Sequence, residues 1–433
     1  MMTFVGHYTN PKMVVAHPDL LEVLKEELGL TTIIVGGAYN LSKEARAKNP
    51  LPADVSSSTG PGIALSDDDE LIRRAIDVGH ERGLQVWLST GGFRDGSSRW
   101  PDLLAQDMHG RPLSEAAPIR YALTQEHIPF CPTNEQIRAW FTAAYADIAH
   151  LYEADGLDIT HYRYTSPSFF DNLFGCACPR CRRTAEEMGT DFERMKRSVL
   201  RVSDRLHHLT ADTVKRAASL GLTFLDFLQI LDHDGAGIAD WFDFRADVVT
   251  RNLVEIKEAV DAVAREGFVF GCDIYVPSFS MLVGHRYGDY KKFSAYTSPL
   301  ISWTDYFILA TFAAHANLLC TWADGLEERD ALRAVYRFYG YGDLSMPETI
   351  AEMELGAHPG QGSPACVPIY EIMEMEMRKA RLYNTGEIPS YPVVKGVYWP
   401  REVVQGLVRA AEEMGHEGIV YHQGTSSVVA VDQ

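Results

Sequence analysis

Basic residues are scarce in this chain. Lys and Arg number 40 against 59 Asp and Glu, a formal net charge of −19. A nucleic-acid binder needs a basic footprint, and an anionic membrane attracts one, so neither partner is expected. The acidity reads simply as solubility. Uninterrupted apolar runs are also missing. The longest apolar stretch, "LISWTDYFILATFAAHANLLCTW" from Leu300 to Trp322, is broken by Asp305, His315 and Asn317. It reads as a buried strand plus helix rather than a membrane span. "MMTFVGHYTNPK" at the start lacks the charged head and long apolar run of a signal peptide, so the expected location is cytoplasmic. Cysteine is sparse, with 7 in 433 residues. In a reducing compartment, thiols that cluster point to a metal rather than to disulfides. There is no repeat, no low-complexity tract and no polar linker. No G-x-G-x-x-G follows the first strand candidate, and no glutamate falls inside any strand candidate.

What is present is ample core material, with 46% apolar and 23% charged residues. Short β-branched runs recur, each followed by a loop and an amphipathic helix. The strand candidates are "MTFVGHY", "TTIIVGG", "LQVWLSTGG", "GLDITHYRY", "FVFGCDIYVPSF", "ISWTDYFILATF", "YPVVKGVYW" and "GIVYHQG". Helices are expected between them, as in "TNEQIRAWFTAAYADIAHLYEAD" and "PREVVQGLVRAAEEMG". Another is expected to be capped by Ser66, with Asp67, Asp68 and Asp69 in its first turn. Alternating strands and helices argue for a parallel sheet. Eight such units without a break favour an α/β fold, a single (β/α)8 TIM barrel over residues 1–433, ahead of a doubly wound sheet. Two long insertions, at about 182–240 and 325–390, are expected to build or cover a site.

Cys176, Cys178 and Cys181 form C-x-C-x-x-C on one short loop. Structural zinc takes four such ligands in a tetrahedron. Cys131, Cys272, Cys320 and Cys366 remain. Cys131 is the best fourth ligand, because "PFCPTNEQIRAWF" sets it before the helix that leads into the strand from which the cluster loop departs. Cys272 lies in a strand candidate and Cys320 on an apolar helix, where each reads as a small buried hydrophobe. Four thiolates leave no open position, so the expected role of Zn2+ is structural.

"CPTNEQIRAWF", then a strand, then "CACPRC" resembles the zinc-bearing β-galactosidases with a (β/α)8 barrel, in which the corresponding cysteines bind a structural zinc. "GCDIYVPSFSMLVGHRYGDYKKFSAY" followed by "ISWTDYFILATF" resembles related glycosidase-like barrel proteins. The resemblance implies a carbohydrate-active barrel. The chain departs from the β-galactosidases at both catalytic positions. Their fourth strand ends in an Asn-Glu pair, where this chain has "HYRYTSP". Their seventh ends in a nucleophilic Glu, where "VVKGVYWP" places Lys395.

Barrel active sites lie at the C-terminal ends of the strands, and glycoside hydrolysis generally uses two carboxyls. The strand candidates offer Asp158, Asp273 and Asp305. Asp305 opens its strand and reads as structural. Asp158 and Asp273 would be neighbours on the fourth and fifth strands, where a pair of carboxyls separates its pKa values. Asp273, Asp158 and His161 are therefore the catalytic candidates. Arg163, Tyr164, Trp87, Tyr275, His422 and Gln423 are the substrate-binding candidates, with Trp322 and Trp399 as further rings near strand ends. Asp232, His233 and Asp234 look like metal ligands but read better as a loop and helix start. The functions in contention are a glycoside hydrolase on a small oligosaccharide or glycoside, a sugar lyase or isomerase using His and Arg, and a sugar-binding barrel without catalysis. The expected partner is a small carbohydrate, with a homo-oligomer left open.

Overall fold

The computed structural model describes residues 2–93, 96–113, 129–233, 235–355, 366–422, 424–426 and 428–429, with the side chain of Asp305 outside the description. Eight parallel strands form its sheet. They are β1 (Phe4–Thr9), β2 (Thr32–Gly36), β3 (Gln85–Gly91), β4 (Gly156–Thr160), β5 (Val269–Ile274), β6 (Ser298–Pro299), β7 (Val393–Lys395) and β8 (Gly418–His422). Each but β6 pairs in parallel with the next in the chain, and β8 pairs with β1. The two remaining edges meet at a parallel bridge between Thr297 and Ser390. There the Thr297 N–H donates to Pro389 O and the Tyr391 N–H to Thr297 O, both at 2.8 Å. The result is a nearly closed (β/α)8 TIM barrel.

Helices cover the outside. They include α1 (Pro18–Leu28), α2 (Glu70–Glu81), α3 (Glu135–Leu151), α4 (Ala236–Asp261), α5 (Ala310–Trp322) and α6 (Arg401–Glu413). Helix α3 starts where its sequence says it should: Asn134 accepts from the N–H groups of Gln136 and Ile137. Helix α2 starts later than expected. Ser66 closes a turn on Asp68 instead of capping, and Asp68 accepts from the Glu70 N–H. The segment 182–240 contributes helices after β4, and 325–390 contributes helices after β6. Among the described residues no helix is long and apolar enough to cross a membrane.

The sixth strand is the main correction. "ISWTDYFILATF" is not a strand: Thr304–Leu309 is a π-helical turn that runs into α5. The strand is the two residues before it, Ser298–Pro299. Asp305 therefore follows β6 on the C-terminal side of the barrel and does not open a strand at the bottom. A fully buried segment of apolar residues has no period to separate strand from helix, which is why the pattern misleads here.

The pairing register fixes which side chains point inward. In β1 they are Phe4, Gly6 and Tyr8; in β8 Gly418 and Val420 pair with the first two, and the His422 ring lies 5.6 Å from that of Tyr8. In β3, β4 and β5 the same rows hold Trp87 with Gly156 and Ser89 with Asp158, and Asp158 with Gly271. The floor is a ring of four stacked aromatics. Phe4 lies 5.0 Å from Trp87 and 4.1 Å from Tyr391, and Tyr296 lies 5.1 Å from Trp87 and 5.4 Å from Tyr391. Glycines opposite the rings make room. A Cβ on Gly271 would stand 2.3 Å from the Tyr296 ring, and one on Gly418 would stand 2.9 Å from Tyr391. Trp87 thus belongs to the floor, not to a strand end where a sugar is met.

The floor generates a test. Gly271→Ala forces a methyl into the Tyr296 ring and is expected to destabilise the fold by about 1–3 kcal/mol. The midpoint of denaturant unfolding measures it, and an unchanged midpoint would show that the floor is loosely packed.

Candidate active site

The candidate site is built on the row above the floor. Asp158 is 1% exposed. Its Oδ1 accepts from the Tyr296 hydroxyl at 2.5 Å, and its Oδ2 from the Tyr8 hydroxyl at 2.7 Å. Burial pushes the Asp158 carboxyl up to about 6, while the two phenol hydrogen bonds pull the other way by favouring the charged form. Both tyrosines are themselves held well above the ordinary phenol range by burial and by the neighbouring carboxylate.

Asp273 belongs to the next inward row of β5, closer to the C-terminal end, and is equally buried. Its Oδ1 accepts from the His161 N–H at 3.3 Å. His161 directly follows β4 with φ of 60°. A side chain in the left-handed region costs about 1–2 kcal/mol, and such strain collects at functional sites. The twist turns this N–H towards Asp273. It also brings the backbone so close to Gly92 that a Cβ there would meet His161 O at 2.7 Å.

Cationic and aromatic groups follow at the neighbouring strand ends. The Arg163 guanidinium is buried 4.4 Å over the Tyr275 ring and 5.2 Å from Phe307, and it donates to Tyr164 O at 3.0 Å. The Tyr275 hydroxyl pairs with Ser166 Oγ at 2.9 Å. His422 ends β8 beside Lys395, its cross-strand partner on β7. Burial, with smaller effects from Lys395, His161 and His7, pushes His422 down to about 3. It is therefore a neutral imidazole, with Nδ1 3.0 Å from Ser302 Oγ and Trp303 edge-on at 5.0 Å. Lys395 is fully buried, its Nζ 5.6 Å from the Trp303 ring and 5.9 Å from Trp399.

Other sequence candidates fall elsewhere. Tyr164 lies under the Arg245 guanidinium, 3.9 Å from its ring, on the side of the cysteines. Trp322 packs on Phe170 and His207 in the insertion helices. Asp232 is held by Arg201 at 2.7 Å and His233 contacts Arg205, so these two tie the loop before α4 to the helix Phe192–Leu206. Asp234 and Gln423 lie outside the described residues.

The four cysteines come together as one buried cluster, whose sulfurs all lie within 4.8 Å of one another. Cys131 Sγ is 3.5 Å from Cys178, 3.6 Å from Cys176 and 3.9 Å from Cys181, and Cys178 is 3.8 Å from Cys181. These separations are far beyond a disulfide. A tetrahedral ion bound to four sulfurs at about 2.3 Å sets them about 3.8 Å apart. The cluster can therefore hold a metal ion, with the Gln106 N–H on Cys176 Sγ at 3.3 Å as outer support. Cys272 is fully buried in β5, as a small hydrophobe.

No protein-family model matches the chain, and no curated protein matches it. Among solved structures, the glycoside hydrolase domain of PgaB (BpsB) from Bordetella bronchiseptica aligns over 97% of this chain and 94% of its own, with 10% identity and a TM-score of 0.53. The chain shares the (β/α)8 barrel fold with that domain. A β-galactosidase from the psychrophilic Marinomonas ef1 aligns over 97% of this chain and 54% of its own, with 12% identity and a TM-score of 0.49.

Within this barrel, sequence reasoning missed Tyr8, Tyr296, Ser302 and Trp303. Tyr8 had a usable signal, since it shares an inward row with Phe4 and Gly6. Tyr296 and Trp303 had none once the sixth strand was misplaced.

The Asp158 environment sets a pH dependence. A carboxyl whose pKa rises from 3.8 to about 6 on folding stabilises the native state most below pH 4, and that contribution is lost as pH rises through 6. Asp158→Asn removes the titration. Relative to wild type, the variant is expected to lose on the order of 2–3 kcal/mol less stability between pH 4 and pH 7. Denaturant melts at both pH values measure this, and parallel shifts in the two proteins would contradict the assignment.

Proposed function

We propose that the protein is a carbohydrate-active enzyme, a glycoside hydrolase acting on a small oligosaccharide or glycoside. The observation that carries this reading is the pair of inward carboxyls, Asp158 and Asp273, on adjacent strands of a glycosidase-type barrel. Asp273, nearer the C-terminal end, is the group proposed to meet the substrate. Asp158, raised to about 6, is the proposed proton store: on taking up a proton its O–H donates to one of the two phenols, which turns from donor to acceptor, so the store is reached through the Tyr8 or Tyr296 hydroxyl. His161 supports Asp273 through its backbone N–H. Arg163 over Tyr275, and His422 with Trp303, are the proposed sugar contacts, joined by Gln423 on the sequence reading alone.

A second reading rests on a different observation. The strand ends where the β-galactosidases carry their acids hold His161 and Arg163 on one side and Lys395 on the other. That favours a lyase or isomerase working through cationic groups, or a barrel that binds sugar without converting it. A panel of chromogenic glycosides and oligosaccharides with product analysis separates the three: hydrolysis, another conversion, or binding alone.

We further propose Zn2+ for the four-cysteine cluster, in a chain kept in the cytoplasm. Among the described residues this is the one group of three or more metal-ligating side chains drawn together. Sulfur ligands at tetrahedral spacing suit zinc, and a closed four-sulfur shell suits a structural role. Bound there, the ion would tie the loop after β4 to the turn before α3.

Two outcomes are expected. Metal analysis of the purified protein should find one zinc per chain, and Cys178→Ser should lower the melting temperature more than it lowers turnover per folded molecule. A metal-free protein would overturn the assignment. Asp273→Asn should keep the fold and metal content while kcat falls by at least ~100-fold. Near wild-type turnover would make Asp273 structural and move attention to His161.

A further inference from the structure

We propose that a cavity outside the barrel is a second binding site, for a ring-bearing carboxylate. The cavity has a volume of about 580 Å3, within the range of about 300–1,000 Å3 usual for small-molecule sites. Four separate segments converge on it. They are the start of the helix Phe224–Leu231, the turns at 277–288 after β5, the end of the helix Glu328–Phe338, and the helix Ile369–Asn384. Neither the four cysteines nor the inward residues of the barrel line it.

Its walls are mostly apolar, and Phe224, Tyr287, Tyr339 and Tyr383 are among the residues that line them. Such faces accept a flat ring or the C–H face of a sugar. No Asp or Glu lines the cavity, although the chain carries a net charge of −19. Three cations do: Arg286, Arg337 and Lys379. Two of them already have counter-charges. Arg286 pairs with Asp243, Asp247 and Asp289, each at 2.8 Å. Lys379 pairs with the buried Glu376 at 3.1 Å and also donates to Ser278 Oγ and Tyr339 O.

Arg337 is different. Among the described residues no hydrogen bond or ion pair holds its guanidinium. Its stem runs beside Gly342, where a Cβ would stand 2.7 Å from Arg337 Cγ, so the glycine leaves the arginine its place. One uncompensated cation matches one negative charge. A carboxylate supplies that charge and fits the planar guanidinium fork with two hydrogen bonds. The ligand class is thus a ring with a single carboxylate, and its two sources are an acidic sugar glycoside and an aromatic acid.

Calorimetric titration of the full chain tests this with three probes: 4-nitrophenyl β-D-glucuronide, 4-nitrobenzoate and the neutral 4-nitrophenyl β-D-glucoside. At least one anion is expected to bind about tenfold or more tightly than the neutral glucoside, and the tighter anion identifies the source. Arg337→Glu should abolish the preference and Arg337→Lys should keep part of it, because Lys lacks the fork. Tyr383→Ala, at a half-exposed position, should weaken both anions without reversing the preference. Asp273→Asn should leave binding unchanged, which separates this cavity from the barrel. The proposal is overturned if no anion binds, if the glucoside binds equally well, if Arg337→Glu keeps the preference, or if Asp273→Asn removes it.

Discussion

A carboxyl inside a barrel has no water to solvate it, so its hydrogen-bond donors decide whether it can be there at all. Asp158 relies on two phenols from opposite parts of the chain. One of them, Tyr296, also closes the aromatic ring of the floor. A single side chain therefore sets both the packing below and the polar row above. The height of the site within the barrel is fixed by how deep the Tyr296 ring can sink, and Gly271 permits that depth by having no side chain. The candidate chemistry rests on a packing constraint.

The rim is organised by polar ties between distant segments. Leu173 O accepts from Trp241 Nε1 at 3.0 Å and from Arg245 at 2.7 Å, which holds the loop after β4 down on α4. The cysteine cluster fastens the end of that loop to the turn before α3. The two insertions then grip each other. Lys215 pairs with Asp330 at 2.6 Å, and Thr210 bridges to Asp324 at the edge of the second insertion. Beside them, His315 of α5 sits against Pro167 O of the loop after β4 at 2.9 Å. Loops that would otherwise move independently are joined through specific partners, several of them buried.

Much of this was readable from the residues. β-branched runs such as "TTIIVGG" and capped amphipathic helices such as α3 state their structure locally, and the order of elements gives the barrel. The spacing of Cys176, Cys178 and Cys181 announced a cluster, and Cys131 joins it in space. Two kinds of information were not local. The strand Ser298–Pro299 is too short to leave a period, and it exists because Asp273 and Ile274 of β5 supply its hydrogen bonds. The roles of Tyr8 and Lys395 depend on register, a property of pairs of strands that no single strand declares. Trp87 shows the same limit from the other side: its type suggested sugar stacking, and its place in the row made it part of the floor.

The stacked floor has a consequence for movement. Four rings that each touch two others lock one another in place: Tyr296 cannot rise or turn unless Trp87 and Tyr391 give way, and they in turn press on Phe4. Strands β1 and β3 and the segments that carry Tyr296 and Tyr391 would therefore have to breathe together, and the hydrogen bond from Tyr296 to Asp158 would ride on that shared motion.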